Sequence, residues 1–544
     1  MKKALFLFMF LGMFLFNSCT MDDFIFSDVD VSNIAIQAEQ QERNYSIVDV
    51  DITGMDSIDK LVVSATTSYA GVETTSVLKA FYPSRTVSSY SLSMDFKNFG
   101  KFKLSIDFYS QGRRVKTEEI NNVGVVADEY NLAALSATFP VLYFTSSIWE
   151  INYKDSKPIP TVVYLERSGA YNWNNLPENV YALPYALEEE IKSTLTYHTL
   201  RPKMAAYIAD LYELDPDSKF NLYISDDYGE VGIQMLYANG IPEDQFTITL
   251  LSDGVGSYNL FNATFNTADA TAKYNEMVAA WEDLKTAATT VDSFSNDLFL
   301  NLPYRGGQEY SILKYYTYIM ANEEENIEWW LPRVDGTLVS PDATFLNTVK
   351  ASPSIKLKNI NTMLTGIISN GHERDFKRLY SFNSEMFKEA ENQNKDVMLI
   401  LGTRTSSESY FDDYVAFVKS YYGDDYAYYY KGHPATPTGM DSDKLTRLEA
   451  LDLIDVESSI PAELILFFYP DIHFSGYPST TYQSAQDSEK AHVLFNTTKA
   501  GSTSYSYASL MDIFISHQSD GTYLVEYSAS SDTDVWDPAT ESFQ

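Results

Sequence analysis

The sequence predicts an α/β protein with a pair of Rossmann-like domains facing a cleft, preceded by a small all-β sandwich. Three observations predict this class. Short β-type segments follow one another between residues 45 and 127, strand and helix patterns alternate from Pro140, and a second alternating series starts at Lys395. Strands that alternate with helices predict a mostly parallel sheet covered by helices on both faces.

The all-β domain is assigned to residues 45–137. Its segments recur at intervals of about ten residues and are separated by turn residues, which is typical of a β-sandwich. They are YSIVDVDIT, DKLVVSATTS, TTSVLKAFYP, SSYSLSMDF, GKFKLSIDFYS and KTEEINNVGVVA. We therefore place an immunoglobulin-like domain here. It contains no His, Cys or Trp, which argues against a catalytic role.

The first α/β series is assigned to residues 138–300 and the second to 301–510, with a C-terminal segment at 511–544. In the first series PVLYFTS, PTVVYLE, KFNLYIS and QFTITLL predict strands, and residues 269–288 predict a helix with one apolar face. A helix-rich stretch covers about residues 308–392. In the second series KDVMLILGT, YAYYYKGHP, LDLIDVES and AHVLFNT predict strands.

The composition excludes several classes of function. The 544 residues include 39 Lys plus Arg and 75 Asp plus Glu, so the formal net charge is −36. Nucleic-acid binding needs clustered cations, so we expect no nucleic-acid partner. The chain has one cysteine, which excludes a disulfide framework and a cysteine-based zinc site. The six histidines are scattered, and we expect no metal site.

The first nineteen residues have the features of a lipoprotein signal peptide. Two lysines precede an apolar run at residues 4–16, which is too short for a comfortable membrane span. Cys19 lies where such a signal is cut and the new terminus is lipidated, and residues 20–44 then form a tether. An ordinary secretory signal with an accidental cysteine is the alternative. The first interpretation places a monomer at the bacterial cell envelope, attached to the membrane only through a lipid on Cys19.

Four polar clusters follow predicted strands, where ligand sites of α/β sheets lie. They are Ser252-Asp253-Gly254, Lys431-Gly432-His433-Pro434, Glu463, and Ser479-Thr480-Thr481-Tyr482. Each alone has a structural explanation: a turn, a loop histidine, a solvated helix residue and a helix N-cap. Their common order along the chain is what points to function.

This order resembles the bacterial sialyltransferases of glycosyltransferase family 80. The similarity extends in order from about residue 140 to residue 500, and the His-Pro motif is its most specific part. The matching segments are SDGVGSYNLFN, LGTRTSS, YYYKGHP and IPAELILFFYPD with the later GYPSTTYQS. The resemblance implies the GT-B architecture, with an acceptor domain at 138–300 and a CMP-donor domain at 301–510.

The resemblance also implies an activity: metal-independent, inverting transfer of sialic acid from CMP-sialic acid to a galactoside-type glycan hydroxyl, with no cofactor. Asp253 is then the general base and His433 the general acid. Lys431, Gly432 and Pro434 belong to the donor-binding motif, and Glu463 accepts hydrogen bonds from the ribose hydroxyls. Ser479 and Thr480 bind the phosphate. Asp227 is a candidate acceptor contact.

The sequence departs from the family pattern at three places. Ser252 replaces the first acidic residue of the family's acidic pair, a small polar residue around Ser406 replaces a cleft tryptophan, and Thr480 replaces the second serine of a pair. Another CMP-linked ulosonic acid is a further candidate donor. Two other functions stay open: a surface lipoprotein that binds glycans without turnover, and a degenerate transferase that serves as a binding scaffold.

Overall fold

The structure is a computed structural model, and the chain divides into two compact units. The first unit holds Ser46–Phe96 and Lys101–Val125 with the residues up to Gln41, and the second holds Glu42–Tyr45, Lys97–Gly100 and Val126–Gln544. The residues described are 29, 31–166, 171–186, 200–226, 236–237, 239–288, 302–304, 316–332, 338–402, 412, 415–416, 418–420, 422–433, 444–476, 480–481, 491–495, 525–527, 536–537 and 542–543.

The first unit contains two antiparallel sheets. Its strands are β1 (Ala35–Gln40), β2 (Ile47–Thr53), β3 (Lys60–Tyr69), β4 (Val72–Phe81), β5 (Ser89–Asp95), β6 (Gly100–Ser110) and β7 (Arg113–Val125). The strand orders are β1-β2-β5 and β4-β3-β6-β7. Burial alternates residue by residue along β6, because successive side chains of a strand point to opposite faces. Val48, Val50, Leu104 and Ile106 are fully buried on the inner faces.

All six segments predicted between residues 45 and 127 form strands, which confirms the all-β class of this region; the immunoglobulin-like assignment stays a prediction. β1 lies inside the predicted tether 20–44, so that boundary is wrong. The strand is AIQAEQ, at the edge of its sheet, and none of its side chains is fully buried. A strand with so little apolar surface gives almost no sequence signal.

The second unit contains two parallel sheets. The first parallel sheet consists of β8 (Glu129–Leu135), β9 (Thr161–Leu165), β10 (Val180–Ala182), β11 (Lys219–Ser225), β12 (Phe246–Leu251), β13 (Ile327–Leu331) and β14 (Ile355–Leu357). Its order is β10-β9-β8-β11-β12-β13-β14, and every neighbouring pair is parallel. The strand order reverses between β8 and β11.

Two predicted domain boundaries are wrong at this sheet. β8 was assigned to the sandwich at 45–137, but it is a central strand of the parallel sheet with six of its seven residues buried. Burial on both faces is characteristic of parallel strands. The boundary at residue 300 is also wrong, since β13 and β14 extend the same sheet to residue 357. They are short strands inside a stretch whose pattern predicts mainly helices.

The helices that accompany this sheet are α1 (Thr138–Ile151), α2 (Leu200–Leu214), α3 (Val255–Phe265), α4 (Ala270–Ala288), α5 (Thr317–Glu323), α6 (Ala343–Lys350), α7 (Ile360–Ser369) and α8 (Glu373–Leu379). The next helix, α9 (Lys388–Gln393), packs against the second parallel sheet. α4 agrees with the helix predicted over 269–288. α1 replaces a predicted strand: its residues 139–148 are all buried, and an unbroken apolar run does not distinguish a buried helix from a strand. Pro140 lies in its first turn, where proline is tolerated.

The second parallel sheet consists of β15 (Asp396–Leu401), β16 (Tyr426–Lys431), β17 (Ile454–Val456), β18 (His473–Gly476), β19 (Ala491–Phe495) and β20 (Val525–Tyr527), with helices α10 (Lys444–Ala450) and α11 (Ala462–Phe468). Its order is β17-β16-β15-β18-β19-β20, with a reversal between β15 and β18. Leu399, Tyr429, Ile465 and Phe474 belong to its buried core. The four predicted strands of this series are present.

Within the predicted segment 511–544, β21 (Trp536–Asp537) and β22 (Ser542–Phe543) form an antiparallel pair. Among the described residues, no helix has the length and apolar character needed to cross a membrane.

Candidate active site

A cavity of about 130 Å³ lies between the carboxyl edges of the two parallel sheets, and we call it the cleft. The strand order reverses between β8 and β11 in the first sheet and between β15 and β18 in the second. Open α/β sheets bind ligands beyond the carboxyl ends of the strands at such switch points. The first sheet's side contributes Ala137, Thr138, Phe139 and Asp253, and the second contributes Leu401, Gly402, Lys431, Gly432, His433, Pro461, Ala462, Glu463, Thr480 and Thr481.

Asp253 occupies the turn that joins β12 to α3, where it is half-buried. Its backbone N–H donates to Ser257 Oγ at 2.9 Å and to Asp226 Oδ1 at 3.2 Å. The Ser252 hydroxyl accepts from the Gly254 N–H at 3.0 Å and contacts Ser257 Oγ at 2.9 Å. Ser252 is fully buried, so at this position the hydroxyl stabilises the turn from inside. The turn thus places the Asp253 side chain at the cleft.

Asp226, the neighbour of the candidate acceptor contact Asp227, was not predicted to be a site residue. Asp226 directly follows β11 and is buried. Its Oδ2 accepts from the indole Nε1 of Trp329 at 2.9 Å, and its Oδ1 accepts from the Asp253 N–H. The sequence SDD at the end of the predicted strand KFNLYIS was the feature that could have indicated Asp226. Asp226 is therefore a positioning residue for the Asp253 turn.

Gly254 brings the two sheets' loops into contact. Its φ is +68°, a conformation that favours glycine, and it precedes α3 as the N-cap. A Cβ at this position would lie 2.2 Å from Thr480 Oγ1. No larger residue fits without moving the Thr480 loop, so the absence of a side chain at Gly254 allows this approach across the cleft.

Lys431 ends β16 and is buried at the cleft. Its ammonium group donates to the carbonyl oxygens of Ser458 at 2.7 Å and Gly432 at 2.9 Å. The positive charge is therefore fixed in place by the backbone on both sides. His433 follows two residues later and lines the same cleft half-buried.

Glu463 lies in the first turn of α11 and is buried, contrary to the solvated-residue alternative. Its Oε1 accepts from Thr481 Oγ1 at 2.9 Å. Burial raises the pKa of Glu463 above its ordinary value, although the Thr481 hydrogen bond and the positive charge of Lys431 act in the opposite direction. The carboxyl group is thus held by a hydroxyl and lies within the electrostatic influence of Lys431.

In the part of the chain that the structure describes, no group of three or more His, Cys, Asp or Glu side chains is placed to hold a metal ion.

Comparisons with known proteins show which solved structures share this fold. No family model and no curated protein sequence matches the chain. The α/β-galactoside α-2,3-sialyltransferase of Photobacterium phosphoreum superposes with a TM-score of 0.53 at 13% identity, over 73% of this chain and 98% of that one. The 2,6-sialyltransferase of Photobacterium sp. JT-ISH-224 was solved with the donor product CMP and the acceptor substrate lactose. It superposes with a TM-score of 0.52 at 15% identity, over 88% of this chain and 94% of that one.

The GT-B domain of the Photobacterium damselae sialyltransferase gives a TM-score of 0.50 at 16% identity, over 71% of this chain and 97% of that domain. The chain has the fold of the bacterial sialyltransferases. Its two parallel sheets are the Rossmann-like pair of a GT-B architecture, which confirms the predicted fold class.

Within this sialyltransferase fold, most of the predicted site residues come together. The predicted residues that line the cleft are Asp253, Lys431, Gly432, His433, Glu463 and Thr480. Four predicted residues lie outside the described part of the chain, namely Cys19, Asp227, Pro434 and Ser479, as does Ser406. Their assignments stay predictions.

Proposed function

We propose that the protein is an inverting glycosyltransferase that moves sialic acid from CMP-sialic acid to a galactoside-type glycan hydroxyl. The observation that carries the proposal is the shared cleft: Asp253 from one sheet and His433 from the other line it, in the fold of the bacterial sialyltransferases. A carboxylate and an imidazole on opposite walls suit a reaction that removes a proton on one side and supplies one on the other.

In the proposed reaction, Asp253 accepts the proton of the acceptor hydroxyl as its oxygen attacks the anomeric carbon of the donor. The bond from that carbon to the phosphate oxygen of CMP breaks, and its electron pair leaves with the phosphate. His433 donates a proton to this oxygen. Attack from the wall opposite the leaving group inverts the anomeric configuration.

The second sheet's side is proposed to hold the nucleotide. The fixed ammonium group of Lys431 lies behind Gly432 and His433 and favours a negatively charged group at this wall. Glu463 offers a carboxyl group for the ribose hydroxyls. Thr480, with Ser479 and Pro434 as predicted neighbours, is proposed to bind the phosphate, and Asp227 the acceptor.

We also propose that the transfer needs no metal ion and no cofactor, since Lys431 and His433 provide the positive charge at the leaving group. Cys19 is proposed to carry the lipid that holds a monomeric protein at the bacterial cell envelope. Chelation by EDTA should leave the transfer rate unchanged, and a rate restored only by added divalent metal would contradict this part.

The test is a transfer assay with CMP-sialic acid and lactose, beside calorimetric titration with CMP, CDP and UDP. We expect sialylated lactose and selective binding of CMP. A folded protein that binds none of the three nucleotides refutes the proposal. Selective CMP binding without transfer to lactose or to a panel of galactosides supports the degenerate-transferase alternative.

A further inference from the structure

A second cavity, of about 360 Å³, lies in the second unit away from the cleft. It is bounded by the C-terminal end of α1, by the loop at residues 174–178 that precedes β10, and by α8. It is larger than the cleft, and its volume falls in the usual range for small-molecule sites, about 300–1,000 Å³. No step of the proposed reaction uses it.

The second cavity is separated from the cleft by most of the length of α1. Thr138 at the start of this helix lines the cleft, and Trp149 near its end lines the second cavity. At a rise of about 1.5 Å per residue the two positions are roughly 16 Å apart along the axis. α1 begins after the carboxyl end of β8, so its far end lies towards the amino edge of the first parallel sheet.

Hydrogen bonds hold the wall of the second cavity in place. Arg378 Nη2 donates to Asn175 Oδ1 at 3.2 Å, and Asn175 Nδ2 donates to the Arg378 carbonyl at 3.3 Å. On the other side, the buried Asn152 donates through Nδ2 to the Glu178 carbonyl at 3.3 Å. The loop is therefore fixed to both α8 and α1, and a ligand would meet a preformed surface.

The cavity combines aromatic surface with planar hydrogen-bonding groups. The Trp149 indole and the His372 imidazole stack at 5.4 Å with 20° between their planes. Tyr153 is 45% exposed, and its hydroxyl donates to Glu178 Oε2 at 3.4 Å. Asn174 is exposed at the rim. Flat rings can cover the C–H face of a sugar while amides and carboxylates bind its hydroxyls.

The charge of the lining disfavours an anionic ligand. Glu178 and Asp375 bring two negative charges to the lining, and Arg378 brings one positive charge. A phosphate or a sialic acid carboxylate would be repelled by this excess. From the volume, the aromatic surface and the charge, we propose that the second cavity is a binding site for neutral oligosaccharides, separate from the site of transfer.

The experiment titrates the full chain with lactose, cellobiose, maltose and free sialic acid by calorimetry. The test variant is the pair Tyr153→Ala with Asn174→Ala, and Tyr82→Ala is the matched control because Tyr82 is 74% exposed and lines neither cavity. We expect at least one neutral sugar to bind the wild type and the control equally. The double variant should bind it about tenfold more weakly.

Glu178→Gln, which preserves shape, provides a second test variant if the double variant loses its native circular dichroism, and it should also weaken sugar binding. The proposal is overturned if no neutral sugar binds, or if no neutral sugar loses affinity in the cavity variants while keeping it in Asp253→Ala. Lactose bound only in the cleft does not meet this criterion. Sialic acid binding that is tighter than that of the neutral sugars and is weakened by the cavity variants also overturns the proposal. Tyr153-dependent sugar binding in a protein that shows no transfer supports this site and counts against the proposed reaction.

Discussion

The two walls of the cleft are stabilised in different ways. On the first sheet's side, Asp253 lies on a turn whose backbone is held by Asp226 and Ser257. On the second sheet's side, a buried ammonium group, that of Lys431, donates to two backbone carbonyls. On the first wall, hydrogen bonds to the backbone N–H of Asp253 position its half-buried carboxylate. On the second wall, the charged group of Lys431 itself makes the hydrogen bonds.

This difference matches a reaction with separate needs on its two sides. A general base has to be held near a hydroxyl while remaining able to take up a proton. A leaving phosphate needs positive charge that is already in place, because a preorganised charge costs no reorganisation during the reaction. The difference therefore fits the proposed reaction, in which the first wall removes a proton and the second stabilises the charge of the leaving group.

The largest effect is expected from removing the groups proposed to move protons. Asp253→Ala and His433→Ala should each lower the rate of transfer by about 10²–10⁴-fold. If the walls have separate tasks, Asp253→Ala should leave CMP affinity unchanged in calorimetry. Asp244→Ala, on the exposed turn before β12, is the control for a lost carboxylate. A wild-type rate in either test variant contradicts the assigned role.

A smaller effect is expected from Asp226→Asn, which keeps the shape of the side chain but removes its charge. One of the two donors, the Asp253 N–H or the Trp329 indole, then loses a carboxylate acceptor, and a shifted turn misplaces the base. We expect transfer to fall by about tenfold to a hundredfold in kcat, with CMP affinity retained. An equal loss of CMP affinity would mean that Asp226 supports the whole fold and not the turn.

The smallest effect concerns Glu463 and depends on pH. Burial raises the pKa of its carboxyl group above the ordinary 4.5. If the ionised form binds the ribose, the advantage of the wild type over Glu463→Gln in CMP affinity should fall as the pH decreases through this raised pKa. At neutral pH Glu463→Gln should bind CMP about tenfold more weakly. Calorimetry from pH 4.5 to pH 8 measures the ratio of the two affinities, in which the titration of the CMP phosphate cancels, with the exposed Glu449→Gln as control; a ratio that does not change with pH rules out this group.

Much of the fold was predictable because its patterns are local. The sandwich strands alternate with a period of two, and most parallel strands end in recognisable turn residues. α1 was not predictable in this way, since its apolar residues cover its whole circumference. β13 was missed because IEWWL is five residues long and lies within a stretch of helical pattern.

The candidate site was predictable in part for a similar reason. Residues that follow parallel strands gather at one edge, so Asp253, Lys431 and His433 could be expected to meet. The role of Asp226 could not be predicted, because the position of a carboxylate after a strand does not show whether its side chain faces inwards. The close approach of Gly254 to Thr480 joins positions far apart in the chain and leaves no local pattern.

The consecutive placement of the two parallel sheets along the chain has a consequence for folding. All strands of the first lie between residues 129 and 357, and all strands of the second lie between 396 and 527. Domains generally fold as units, the N-terminal one first during synthesis. The turn that carries Asp253 can therefore reach its native hydrogen bonds before the second half has left the ribosome. The opposite wall forms last, so a chain cut short after residue 380 would keep an ordered Asp253 turn and have no cleft.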